Sequence, residues 1–233
     1  MRAVLFDFGN TLFAHAPLAE TIGDAAEGLG HPLSGEACAQ LALAVDGAAM
    51  AVDEVARGRD LDGDVWRARW RVLYGALDVA VPGLGAAVDR SMHDPDHWLP
   101  YATTVEVLTG LHGAGIPVGV VSNTGWDVPG VFARWGLDGM IDTFVLSFEV
   151  GAVKPDPAVF LLAAERLGTD PGEVLMVGDD PRADSGALAV GMPVLLLPSA
   201  PPRADNGLGA VLAIARRADD PGAPSAPGPG RPR

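Results

Sequence analysis

The sequence holds a single cysteine, Cys38, in 233 residues. One thiol forms no internal disulfide and no cysteine metal cluster, so it reads as a small buried helix residue. A chain without disulfides fits a reducing cytoplasm. Lysine is as scarce: fifteen arginines stand beside one lysine, Lys154. Long apolar runs are missing too, and no stretch reaches the roughly 18 consecutive apolar residues of a membrane helix. The opening Met-Arg passes straight into a strand-like run, without the charged region, apolar block and cleavage site of a signal peptide. We therefore expect no membrane span and no secretion signal. Positive charge is in deficit, with 16 Lys and Arg against 30 Asp and Glu and a net charge of −14. So acidic a chain argues against nucleic acid or an anionic membrane as partner, because polyanion binding needs a basic face.

Hydrophobic residues make up 48% of the chain, enough for a substantial core in one large domain or a core with a smaller insert. Residues 3–6, Ala-Val-Leu-Phe, read as a buried strand that delivers Asp7 into a turn made by Gly9 and Asn10. Taken alone, Asp7 there equally well caps the turn. From Pro17 to His97 apolar residues recur at helical spacing, predicting helices over about 17–29, 34–57, 64–79 and 85–94. Trp66, Trp70 and Leu73 share one helix face and read as a core stripe, with a substrate-contacting surface as the alternative. His93 and His97 are an isolated i, i+4 pair with Pro95 between them, so we expect no zinc site.

After a hinge-like Leu99-Pro100-Tyr101, strands and helices alternate. Thr103-x-x-Glu106 predicts a capping box on a helix that turns Val105, Leu108 and Leu111 inward. Strands follow at 116–121, 144–148, 174–178 and 193–197, with helices between them, a short one at 182–190 and a last one near 207–217. This alternation implies an α/β fold, a Rossmann-like parallel sheet with helices on both faces, carrying an inserted all-helical block. The expected division is a core of residues 1–13 and 99–198 with the final helix, a helical unit over 14–98, and a mobile Pro/Gly-rich tail over 219–233.

Four polar clusters fall at strand ends or in loops of this alternation: Asp7; Ser122 with Asn123; Lys154; and Asp179, Asp180 and Asp184. All strands of a parallel sheet open their carboxyl ends on one side, where ligands bind. Carboxylates, a hydroxyl, an amide and an ammonium gathered there suit a hard cation and an oxyanion. An aspartate can also act as a covalent nucleophile.

On these four motifs, in this order and spacing, the sequence resembles the haloacid dehalogenase-like hydrolase superfamily, and residues 14–98 resemble its C1-type helical cap. The resemblance implies a Mg²⁺-dependent phosphatase acting on a small phosphorylated metabolite. It implies that Asp7 is both nucleophile and metal ligand, and that Thr11 lies in a phosphate-holding turn. Ser122, with Asn123 beside it, orients the phosphoryl group, and Lys154 offsets its charge. Asp179 and Asp184, with the backbone of Gly9, complete the metal site, and Asp180 can share its outer shell.

One position departs from the pattern. Most phosphatases of the superfamily carry Asp-x-Asp in the first motif, and here the second carboxylate is Gly9. That carboxylate protonates the leaving group and activates water, help worth about 10²–10⁴-fold. Similar Asp-x-Gly-Asn turns occur in members regarded as phosphatases. The resemblance therefore implies a preference for leaving groups that need little protonation, such as acyl or aryl phosphates, or a substitute such as His15 or a cap residue. Two other readings share the scaffold. A haloacid dehalogenase is disfavoured because no basic residue lies between Arg2 and Arg57, where those enzymes place an arginine. The other is a catalytically weak binding protein.

Overall fold

The structure, a computed structural model, describes residues 1–218, so the expected tail over 219–233 lies outside the described residues. The first strand, β1 (Ala3–Phe6), leads to a short strand β2 (Phe13–His15). Five helices follow: α1 (Leu18–Gly28), α2 (Gly35–Ala49), α3 (Val52–Val55), α4 (Gly63–Gly75) and α5 (Leu84–Met92). The chain returns through β3 (Trp98–Pro100), α6 (Thr104–Gly113), β4 (Val118–Ser122), α7 (Val128–Arg134) and β5 (Thr143–Leu146). It ends with α8 (Ser147–Val150), α9 (Pro157–Arg166), β6 (Val174–Gly178), β7 (Val194–Leu196) and α10 (Ala210–Ala218).

Five strands form one parallel sheet in the order β5-β4-β1-β6-β7. The period-two side-chain alternation of β1 feeds two cores. Val4 and Phe6 join Leu108, Leu111 and Phe132 on one face, while Ala3 and Leu5 join Val159, Phe160 and Ala163 on the other. With β4 on one side and β6 on the other, the strand order reverses at β1. Such a switch point opens a crevice beyond the strand's carboxyl end, directly at Asp7.

The helical unit has an apolar cluster of its own, built around Ile22, Val45, Tyr74, Leu77, Leu84 and Val88. Cys38 is buried there on α2, as its small size suggested. An antiparallel ribbon of β2 and β3 joins the unit to the sheet, pairing Ala14 with Leu99 and His15 with Trp98. Of the segment read as hinge-like, Leu99 and Pro100 lie in β3 and Tyr101 follows it.

Local departures from the sequence reading have physical causes. The single helix expected over 34–57 breaks after Ala49, where Nη1 of Arg59 donates to the Ala49 carbonyl at 2.7 Å and closes the helix end. The capping box at Thr103 does not form, and its hydroxyl is buried without a partner. Thr104 instead donates to the Leu12 carbonyl at 2.7 Å. Anchoring there puts Thr104, Val107, Leu108 and Leu111 inward and leaves Val105 exposed. The strand expected over 144–148 stops at Leu146, and Ser147 starts a helical turn. The helix expected over 182–190 is a 3₁₀ segment, Asp184–Val190.

Candidate active site at the carboxyl edge of the sheet

Each sheet strand that ends at the crevice contributes polar groups. Asp7 follows β1 directly, and its backbone N–H donates to Val177 at 2.8 Å, so the ladder with β6 fixes where its side chain starts. Its carboxylate meets the Lys154 ammonium through Oδ1 and the Thr11 hydroxyl through Oδ2 at 3.5 Å. Thr11 is fully buried and also reaches Asp179 Oδ1 at 3.4 Å. Asn10 makes this turn with a left-handed φ of 56°, a conformation asparagine tolerates.

Ser122 is the last residue of β4 and lines the crevice. Asn123 turns its amide toward the loop before α9. Its Nδ2 donates to the Lys154 carbonyl at 2.9 Å, and its Oδ1 accepts from the Lys154 N–H at 2.7 Å. This two-sided clamp holds the lysine in place.

After β6, Asp179 and Asp180 line the crevice while Asp184 is completely buried. Asp184 Oδ1 accepts from Lys154 Nζ at 2.7 Å, and Oδ2 accepts from the Asp180 N–H at 3.0 Å. Gly178 is required by this arrangement, since a Cβ there would sit 2.0 Å from Asp184 Oδ2.

The electrostatics follow from burial. Desolvation pushes the Asp7 carboxyl up to about 6; the Lys154 charge opposes the rise and Asp184 adds to it. Asp179 is raised by burial and by Asp184 as well. Burial alone would lower Lys154, but Asp7 and Asp184 outweigh it and hold the ammonium charged. Carboxylate oxygens of Asp7, Asp179 and Asp184 lie within 4.8 Å of one another, three acids against one ammonium. An all-oxygen donor set with excess negative charge fits a hard divalent cation. Among the described residues this is the only such cluster of three or more His, Cys, Asp or Glu.

Above these groups lies a cavity of about 580 Å³. Its far wall comes from the helical unit: Arg59, Asp60, Trp66, Trp70, Tyr74 and His93. Of the stripe read as core, Leu73 and Trp66 are buried, while Trp70 is half-buried; Trp66 and Trp70 line the cavity. Trp66 also presses on the core loop at Gly125, where a Cβ would come within 2.2 Å of its own Cβ.

His15 does not reach this cavity. Its ring nitrogens lie 3.0 and 3.1 Å from the carbonyls of Ala16 and Ser91, in a separate cleft. The histidine in the cavity wall is His93, held at the Asp89 carbonyl by Nδ1 at 2.7 Å, and burial lowers its pKa from the ordinary value. His97 lines the other cleft, so the pair does not converge on the cavity above Asp7. Two contributors were missed in the sequence. Asn206, 1% exposed, donates to the Thr11 carbonyl at 3.0 Å and steadies the turn after Asp7 across 195 residues of chain. Arg59 looked like one of many arginines, and only its burial against Trp70, 4.9 Å from the ring centre, sets it apart.

Fold and site define an α/β protein whose acidic cluster lies beneath a helical roof. Residues 1–191 match the haloacid dehalogenase-like hydrolase family, and the chain belongs to that family. It is 31% identical over 125 residues to an (S)-2-haloacid dehalogenase of Pseudomonas fluorescens, matching 51% of this chain and 55% of that one. The first curated relatives are thus matched over about half their length. A ribulose-1,5-bisphosphate 5-phosphatase of Halopiger xanaduensis is 29% identical over 213 residues, 83% of each chain. The structure of a phosphatase of this family from Thermococcus onnurineus superposes with a TM-score of 0.62 at 25% identity, covering 92% of this chain and 98% of that one.

Proposed function

We propose that this hydrolase is a Mg²⁺-dependent phosphatase that cleaves a small phosphorylated metabolite through an aspartyl-phosphate on Asp7. The observation that carries the reading is the cluster of three carboxylates, Asp7 and Asp184 buried on one ammonium and the half-buried Asp179 beside them. A dehalogenase attacking carbon needs no such excess of carboxylate, whereas phosphoryl transfer does its work through charge.

Asp7 attacks phosphorus in line. The bond from phosphorus to the leaving oxygen breaks, and that oxygen keeps the electron pair. Lys154, clamped by Asn123, neutralises charge on Asp7 and on the phosphoryl oxygens. Ser122 and the Thr11 turn supply hydrogen bonds to those oxygens. Asp7, Asp179 and Asp184, with the Gly9 carbonyl, would hold Mg²⁺, which when bound offsets the negative charge of the phosphoryl group. Asp184 has a second role, since its two oxygens already hold Lys154 and the Asp180 N–H. Water then attacks the aspartyl-phosphate and returns inorganic phosphate and free Asp7. Residues 14–98 act as the cap that excludes bulk water. With Gly9 in the first motif, no carboxylate from that position protonates the leaving oxygen.

Phosphate release from a panel of phosphate esters tests this. We expect turnover with Mg²⁺, none with EDTA, and none in Asp7→Asn. Halide release from 2-haloacids without metal would establish the dehalogenase reading instead. Arg59, the only arginine in the cavity wall among the described residues, speaks against it, because Asp60 at 3.4 Å and Glu54 at 3.9 Å compete with a carboxylate substrate for its charge.

A further inference from the structure

Four of the five tryptophans in the chain line the one cavity above Asp7: Trp66, Trp70, Trp98 and Trp126. They arrive from three separate segments, α4, the β2–β3 ribbon and the loop after β4. Ring contacts run without a gap from roof to nucleophile loop. Trp70 lies 5.9 Å from Trp66, Trp66 4.9 Å from His93, and His93 5.8 Å from Trp126. Trp126 lies 5.7 Å from Trp98, which lies 4.8 Å from Phe8, the neighbour of Asp7. Trp70, Trp98 and Trp126 are half-buried and Trp66 is buried, and Trp70 also stacks on Tyr74 at 5.1 Å.

The charges of the wall point the same way. Lys154 is engaged by Asp7 and Asp184. Arg59 is engaged by Ala49, Asp60 and Glu54 and stacked on Trp70. Among the described residues, both lining cations, Lys154 and Arg59, thus already face carboxylates, and of their buried nitrogens only the Arg59 Nε is left without a hydrogen-bond partner.

We infer that the leaving group is a neutral, planar aromatic ring, seated on the indoles of Trp66, Trp70, Trp98 and Trp126, so that the substrate is an aryl monophosphate. This deepens the phosphatase reading and rests on it for the phosphate half alone. Gly9 supports it independently. A Cβ on Gly9 would sit 3.7 Å from the Trp98 ring, in ordinary contact, so an indole stands beside the place where the usual acid would project. An aryl oxide leaves without that acid, because the ring stabilises its charge and solvent supplies the proton afterwards. Stacking of planar rings on aromatic side chains is sequence-tolerant and strong enough to shift affinity by about tenfold per ring.

The ring half is tested without turnover by calorimetric titration of the full chain with 2-naphthol and with its saturated counterpart, decahydro-2-naphthol. We expect 2-naphthol to bind at least tenfold more tightly, and Trp70→Leu to remove most of that difference while Trp70→Phe retains it. Trp66→Leu is a weaker probe, because Trp66 also packs on Gly125; the comparison of the two alcohols in the unmodified chain needs no variant. Equal binding of the two alcohols, or binding of neither, would overturn the inference. In parallel, 2-naphthyl phosphate with Mg²⁺ should show at least a tenfold lower KM than decahydro-2-naphthyl phosphate. Naphthol binding without release of phosphate from any ester would sink the phosphatase reading and leave the ring site standing.

Discussion

At Gly9 the chain lacks a side chain where a carboxylate would help most, yet nothing in the backbone forbids one. Its φ is not left-handed, and a new Cβ would make only ordinary contact with Trp98. We therefore predict that Gly9→Asp folds and raises kcat for simple alkyl phosphates by roughly 10²-fold, toward the range of general acid catalysis. Aryl phosphates should gain far less, because their leaving oxygen needs no proton. Asp7 carries a second prediction. Its carboxyl titrates near 6 in the folded chain against an ordinary 3.8. Between those values the native state keeps a proton that the unfolded chain has released, so this group's contribution to stability falls as pH rises from about 4 to 6. A bound divalent cation relieves that penalty. The rise in Tm on adding Mg²⁺ should accordingly be larger at pH 7.5 than at pH 5, and a rise independent of pH would place the cation elsewhere. At this scale the sequence exposed Asp7, Lys154, Asp179 and Asp184, whose types are rare or oddly placed beside strands. It did not expose Asn206 or Arg59, because a lone amide and one of fifteen arginines have no local signature.

Elements with strong apolar periodicity were legible, and short or competing ones were not. The buried runs at Ala3–Phe6 and Val174–Gly178 have no rival interpretation as exposed structure. The three-residue strands Phe13–His15 and Trp98–Pro100 exist through each other, so neither has a pattern of its own. Thr103 matched a capping motif, but the adjacent Thr104 finds a buried partner in Leu12, and that tertiary hydrogen bond outweighs a local cap. The stripe of Trp66, Trp70 and Leu73 was legible as a helix face but not as a wall, since a helix pattern does not say what faces it. Contact between α4 and the core loop can be probed at Gly125. A methyl there collides with Trp66, and overpacking of this kind costs about 1–3 kcal/mol. We predict that Gly125→Ala lowers Tm by several degrees and raises KM at least threefold, because Trp66 must shift. Unchanged KM would detach Trp66 from substrate binding.

For the whole molecule, alternation of strands and helices was enough to imply the parallel sheet. Its order, β5-β4-β1-β6-β7, places the switch point at Asp7. Polar groups that the sequence scatters from residue 7 to residue 184 meet there because every strand of the sheet ends on the same side. What the helical unit recognises was not legible, since it depends on which rings and charges from different segments converge. Among the described residues no single helix is long and apolar enough to cross a membrane. The missing acid at Gly9 also has a kinetic consequence for the full cycle. On the proposed mechanism, without a carboxylate to activate water, hydrolysis of the aspartyl-phosphate would slow more than its formation does when the leaving group is an aryl oxide. The covalent intermediate should therefore accumulate during turnover. Acid quenching of the full chain during turnover of an aryl phosphate with Mg²⁺, followed by peptide mass mapping, tests this directly. The account predicts one phosphoryl group on the peptide carrying Asp7, absent with EDTA and absent in Asp7→Asn; steady release of phosphate with Asp7 never labelled would contradict it.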